Sequence, residues 1–225
     1  MMEENPITKQ VIAFDFDGVF VLDSDAVFKR DAWKKALAPW AGRYEPLLEE
    51  GNRLFGSGKS GGRREILQYV FEQLGESPER LPALIGEAAQ AFNTHLQGEI
   101  AKAGLAPGAL QMLEILAARG FVLYINSGTP PESLRESIRI LDIERFFRDA
   151  LGTTKSKVAN VRYIAAQEGM APGEVTVVGD GESDRATAEE LHTRFIGVAN
   201  QHNKWAEMRP QFEIVTKLDQ VPELL

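Results

Sequence analysis

Cysteine is absent from this 225-residue chain, which excludes disulfides and thiolate zinc sites. Histidine is scarce as well. His95, His192 and His202 are scattered without ligand spacing and read as ordinary surface or helix residues. No apolar run approaches the ~20 residues that a bilayer span requires, and the opening MMEENPITKQ lacks a basic stretch followed by an apolar one. A cytoplasmic protein is therefore expected. Positive charge is in deficit, with 25 Lys and Arg against 33 Asp and Glu and a net charge of -8 at pH 7. That balance argues against a phosphate-backbone partner, so neither nucleic acid nor membrane is expected to bind.

A P-loop is also missing, although FGSGKSGGRR at residues 55–64 resembles the end of one. The first glycine of G-x-x-x-x-G-K-[ST] would fall on Arg53, and the preceding YEPLLEEGNRLF has helical spacing rather than the β-branched run of a buried strand. The segment reads as a polar loop between two helices. Its cations Lys59, Arg63 and Arg64 still call for a role.

What the chain does contain is a set of short apolar runs, each ending in a polar or glycine-bearing turn. They are VIAFDFDG (11–18), FVLYINSGT (121–129), VTVVGDG (175–181) and FIGVAN (195–200). Such runs suit strands buried on both faces. Amphipathic helical stretches at 131–141, 158–169 and 183–192 alternate with them, and weaker strands are expected at 148–152 and 212–215. The pattern predicts an α/β fold, a doubly wound Rossmann-like parallel sheet.

About a hundred residues separate the first two strands, far more than the ~10–15 of a simple crossover. Residues 22–104 show only helical patterns broken by Pro and Gly, which predicts an inserted helical domain between core segments 1–21 and 105–225. PGALQMLEILAARG (107–120) then returns the chain to the sheet. Trp33, Trp40 and the apolar positions of the inserted helices recur at helical spacing, as packing residues do.

Ligands of open parallel sheets bind outside the carboxyl ends of the strands. Strand one ends in Asp15 and Asp17, strand two in Ser127, and the 175–179 strand in Asp180, with Asp184 opening the next helix. Four acids brought together repel one another unless a cation is supplied. With oxygen donors and no adjacent His or Cys, Mg2+ is the natural ion. Asp15 and Asp17 lie two apart on one side of the strand, so one carboxylate can act as nucleophile toward phosphorus while the other handles protons.

DFDGV, INSGT, a lysine in TTKSKV and VVGDGESD together resemble the four ordered motifs of the haloacid dehalogenase superfamily of phosphohydrolases, across nearly the whole chain. The helical insertion is similar to that of phosphoglycolate phosphatase and β-phosphoglucomutase relatives. The resemblance implies a mobile cap, Asp15 as nucleophile, Asp17 as general acid and base, and Ser127 with Gly128 holding the phosphoryl group. It implies Mg2+ on Asp15, Asp180 and the backbone carbonyl of Asp17, with Asp184 as outer support. The lysine is Lys157 or, with an earlier spacing, Lys155; the spacing favours Lys157.

Asp17, two residues after the nucleophile, points to phosphate esters, whose alkoxide leaving group needs a proton. The mutase resemblance extends through DGVFVLDSDAVFKRDAWKKALA, but the histidine of those mutases falls at about Phe28. The expected function is hydrolysis of a small phosphomonoester, such as a sugar phosphate or phosphoglycolate, with Lys59 and Arg63 or Arg64 contacting a remote anionic group of the substrate. A phosphosugar mutase and a non-enzymatic phosphoaspartate module are the alternatives.

Overall fold

The structure, a computed structural model, describes residues 10–56, 62–208 and 210–225. Six parallel strands form one sheet in the order β3-β2-β1-β4-β5-β6. They are β1 Val11–Phe14, β2 Val122–Asn126, β3 Phe147–Leu151, β4 Val175–Gly179, β5 Phe195–Val198 and β6 Glu213–Val215. The strand order reverses between β1 and β4, whose carboxyl ends flank the crevice where such sheets bind ligands.

The apolar runs are continuous because both faces of the sheet are covered. In β1, Ile12 and Phe14 join a cluster with Leu113 and Leu116 of α5 (Ala109–Ala118) and Leu134 and Ile138 of α6 (Pro131–Ile140). Val11 and Ala13 point the other way, into a second cluster with Val161 and Ile164 of α7 (Lys157–Glu168) and Leu191 of α8 (Glu182–Leu191). Both weaker strands are present. β1 is shorter than the run that announced it, since pairing stops at Phe14 and Asp17 is joined only by an isolated bridge to Val21. Two short helices close the chain, α9 (Trp205–Met208) and α10 (Val221–Leu224).

Between β1 and β2 lie a π-helical turn at Ser24–Lys29 and helices α1 (Arg30–Ala36), α2 (Glu45–Phe55), α3 (Arg63–Gln73) and α4 (Leu81–Ala103). In the π turn the N–H groups of Val27 and Phe28 share the carbonyl of Asp23, each at 3.0 Å. The helices hold together through aromatic contacts. Trp33 meets Phe92 with ring centroids 4.6 Å apart, and Trp40 meets Phe71 at 4.9 Å. The chain returns to the sheet beside its exit, where the Ala106 N–H donates to the carbonyl of Phe20 at 2.8 Å.

Where α4 crosses α6 the contact is polar. Gln97 is buried and its amide donates to the carbonyl of Ser133 at 3.0 Å, while Ser137 donates back to the Gln97 Oε1 at 3.0 Å. Asn93 accepts from Ser133 and donates to Glu136 at 2.8 Å. Elsewhere one apolar cluster runs without a break from the sheet into the inserted helices.

Among the described residues no helix is long and apolar enough to cross a membrane. The loop containing Gly58, Lys59 and Ser60 lies outside the described residues. Its flanks are α2 and α3, so a helix stands where a P-loop would need a strand.

Phe14 is fully buried directly before Asp15, with its ring 5.6 Å from that of Phe20. Phe14→Ala should lower unfolding free energy by about 3–5 kcal/mol, measured from urea denaturation curves at constant m.

Candidate active site

Asp15 and Asp180 are placed by strand ends, and Asp184 by the first turn of α8. Asp15 follows β1, and its backbone N–H still donates to the carbonyl of Val178 at 2.8 Å, which continues the ladder by one bond. Its Oδ1 accepts from the Phe16 N–H at 2.8 Å, and its Oδ2 meets the Lys157 ammonium at 2.8 Å. Asp184 sits in the first turn of α8, where Oδ2 accepts from the Gly181 N–H at 3.3 Å and Oδ1 accepts from Lys157 at 2.7 Å. Lys157 therefore lies between two buried acids.

Asp180 follows β4 and lies close against the backbone of Gly18. A Cβ at Gly18 would fall 2.0 Å from Asp180 Oδ2, and Gly18 also has φ +72°, so only glycine fits this turn. Gly179 is tight in the same way, since a Cβ there would meet the Asp184 carboxyl carbon at 2.3 Å.

Asp15, Asp180 and Asp184 bring one carboxylate oxygen each within 4.8 Å of the others. Three hard oxygen donors without nitrogen or sulfur suit a cation of the Mg2+ kind. The electrostatics fit such a cation. Burial first, then the field of Asp184, pushes the Asp15 carboxyl well above the usual range, against the pull of Lys157. Burial likewise pushes Asp180 up to about 6, although the Asn200 amide works in the opposite direction. Both acids sit where added positive charge would restore the ionised form.

Asp17 belongs to a separate arrangement. Its Oδ2 accepts from Thr129 Oγ1 at 2.7 Å, Ser127 Oγ at 3.4 Å and Lys29 Nζ at 2.6 Å. Burial opposes its ionisation, but Lys29 and the hydrogen bonds outweigh burial and hold it below the usual range. Lys29 also donates to Asp25 at 2.6 Å and Thr129 at 3.2 Å, so its three hydrogens are all engaged. These carboxylates hold its pKa above the usual value despite burial.

The π turn explains why Lys29 reaches the site. It carries Lys29 at its last position, while Phe28 packs against the core. The sequence reading missed Lys29, Thr129 and Asn200. Thr129 ends the INSGT motif, whereas Lys29 joins a partner 100 residues away and resembles any other helical lysine in a local pattern.

Among the other expected residues, Ser127 is buried and accepts from the Thr129 N–H at 3.0 Å, and Gly128 lines the adjoining cleft. Lys155 is exposed with its ammonium 5.3 Å from the Tyr163 ring centre, while Lys157 occupies the carboxylate cluster. Arg63 is half-buried with its guanidinium 3.9 Å from the centre of the Phe92 ring, and Arg64 is exposed. Arg63, Lys29, Trp33, Asn52 and Phe92 border a cleft of about 190 Å3 that opens beside Thr129. Burial lowers the Arg63 pKa to about 10, partly countered by Asp17, and among the described residues Arg63 has no ion-pair partner.

A family model described as haloacid dehalogenase-like hydrolase matches residues 9–192. The phosphoglycolate phosphatase of Haemophilus influenzae is 25% identical over 104 residues, 44% of this chain and 46% of that protein, so the match spans under half of that relative's length. A solved structure described as a predicted phosphoglycolate phosphatase from Haemophilus somnus superposes with a TM-score of 0.70 at 16% identity, covering 96% of this chain and 97% of that one. The β-phosphoglucomutase of Clostridium difficile gives 0.68 at 16% identity, covering 95% and 93%. At those identities the two structures establish the shared fold.

The raised pKa of Asp180 has a consequence for stability. An acid with a folded pKa near 6 and an unfolded value near 3.8 disfavours folding once pH rises above both, and the penalty disappears below the lower value. Metal-free Asp180→Asn should accordingly be more stable than metal-free wild type at pH 8, with the difference shrinking as pH falls through about 6 and lost below 3.8, as read from thermal unfolding across that range.

Proposed function

The chain belongs to the haloacid dehalogenase-like hydrolase family, and on that premise we propose that it is a Mg2+-dependent phosphatase acting on a small phosphomonoester through an aspartyl-phosphate intermediate. The observation that carries the reading is the division of labour at the end of β1. Asp15 lies with Lys157, Asp180 and Asp184, while Asp17, two residues on, faces Thr129, Ser127 and Lys29. One carboxylate is thereby set up for attack on phosphorus and the other for proton transfer.

Asp15 attacks phosphorus, forming an acyl phosphate as the ester oxygen departs with a proton from Asp17. Water then attacks the acyl phosphate while Asp17 takes its proton, which releases inorganic phosphate and restores both carboxyls. The form of Asp17 held by Lys29 is the base, so the first step requires Lys29 to loosen its hold, and Asp25 stands ready as its other acceptor. Lys157 offsets the charge that accumulates between Asp15 and the phosphoryl oxygens. Ser127 and the Gly128 backbone would bind those oxygens. Mg2+, held by Asp15, Asp180 and the Asp17 carbonyl with Asp184 behind them, would neutralise the carboxylates and polarise the phosphoryl group.

Residues 22–104 serve in this reading as a cap over a core formed by 1–21 and 105–225. The cap presents Arg63 to the 190 Å3 cleft. A half-buried guanidinium with no ion-pair partner among the described residues suits a second anionic group on the substrate. A mutase reading is weaker. Neither residue near the position of the mutase histidine supplies an imidazole, because Phe28 packs in the core and Lys29 is committed to Asp17, Asp25 and Thr129. A phosphoaspartate signalling module would need a long-lived acyl phosphate, which the base beside Asp15 opposes.

Phosphate release from a panel of small phosphomonoesters tests the proposal. Mg2+-dependent turnover is expected from wild type, with loss on chelation and a drop of about 1000-fold or more in Asp15→Asn. Full activity in that variant, or no ester turned over at all, would remove the basis for the assignment. On the best substrate Arg63→Ala should raise KM about tenfold with little change in kcat, equivalent to ~1.4 kcal/mol. An unchanged KM would detach Arg63 from substrate binding.

A further inference from the structure

The loop after β5 lies beyond residue 192, where the family match ends. It carries two asparagines, Asn200 and Asn203, that interlock beneath the carboxylate cluster. Asn200 Oδ1 accepts from the backbone N–H groups of His202 at 2.8 Å and Asn203 at 3.2 Å. Two donors on that oxygen fix which end of the amide is which. The NH2 end then points into the site, where it donates to Asp180 Oδ2 at 2.7 Å and to the carbonyl of Gly18 at 3.3 Å. All four hydrogen-bonding places of the amide are filled.

Asn203 does the corresponding work on the backbone. Its amide donates to the carbonyls of Asp180 at 3.0 Å and Val198 at 2.8 Å, while its oxygen accepts from the N–H groups of Asn200 at 3.2 Å and Trp205 at 3.1 Å. An asparagine that served only to form the turn would need its oxygen alone. Asn200 uses its nitrogen as well, on one group from each of two strand ends.

Those two groups belong to the two arms of the cation site. Gly18 follows Asp15 and Asp17 on the arm from β1, and Asp180 is the arm from β4. The Asp180 carboxylate rests against Gly18 with no room for a Cβ, and Asn200 holds the same oxygen, Oδ2, that lies nearest that backbone.

Resting on the reading of Asp15, Asp180 and Asp184 as a Mg2+ site, we propose that Asn200 is a positioning residue. It sets the spacing and orientation of the two arms, and through them the metal affinity, without touching metal or substrate. Hydrogen-bond partners of ligating carboxylates commonly change affinity by roughly 10–100-fold when removed.

The test is calorimetric titration of Mg2+ into metal-free wild type, Asn200→Ala and Asn200→Ser. The serine variant keeps an oxygen for the turn but cannot bridge Asp180 and Gly18, so it remains informative if the alanine variant folds poorly. Affinity is expected to fall roughly 10–100-fold in both, with kcat recovered at saturating Mg2+. Wild-type affinity in the variants would overturn the inference alone. Failure of wild type to bind Mg2+ would overturn the cation-site reading and this inference with it. A loss of kcat that saturating Mg2+ does not restore would also overturn it, since a positioning role acts through affinity.

Discussion

Carboxylates crowded at the ends of β1 and β4 repel one another, and the surrounding structure is organised around containing that repulsion. Lys157 stands between Asp15 and Asp184 within 2.8 Å of each. Lys29 stands on Asp17, at 2.6 Å. Each ammonium is partly buried against a buried acid, Lys157 against Asp15 and Asp184 and Lys29 against Asp17, so its own desolvation is offset by that pairing. Removing one partner would strand the other in a low-dielectric crevice, which makes each pair interdependent.

The two lysines come from different places, and this gives the site its asymmetry. Lys157 begins α7 and is fixed to the core, where Asn126 donates to its carbonyl at 3.0 Å. Lys29 ends the π turn at the start of the helical insertion. Charge compensation for Asp15 is thus internal to the α/β core, from the start of α7, while compensation for Asp17 arrives with the inserted helices. Any displacement of the insertion changes the environment of Asp17 before that of Asp15.

The sequence announces those parts of the site where local chemistry is distinctive. Asp15, Ser127 and Asp180 each interrupt an apolar run that must be a buried strand, and the topology then brings strand ends together. The alternation of runs and helical stretches likewise gives the sheet, because burial on both faces leaves continuous apolar segments. Lys29 and Asn200 are different. One is a lysine on a helical stretch and the other an asparagine in a turn, where solvated lysines and turn-forming asparagines abound. Their roles come from contacts to residues 100 and 182 positions away in sequence, which no local pattern encodes. The end of β1 was overread for a related reason. Hydrophobicity continues through Phe16 and Val19, but strand pairing stops at Phe14 and those side chains join the apolar cluster shared by the sheet and the inserted helices.

The polar crossing of α4 over α6 bears on how the insertion is placed on the core. Gln97, Ser133, Ser137 and Asn93 hold the helices together through amides and hydroxyls. Such bonds are specific in direction yet nearly isoenergetic with the bonds the same groups make to water. An apolar seam would resist parting in proportion to its area, and would grip again wherever it landed. A seam of this kind fixes the register in which α4 sits on α6 more than it adds to the energy that holds them.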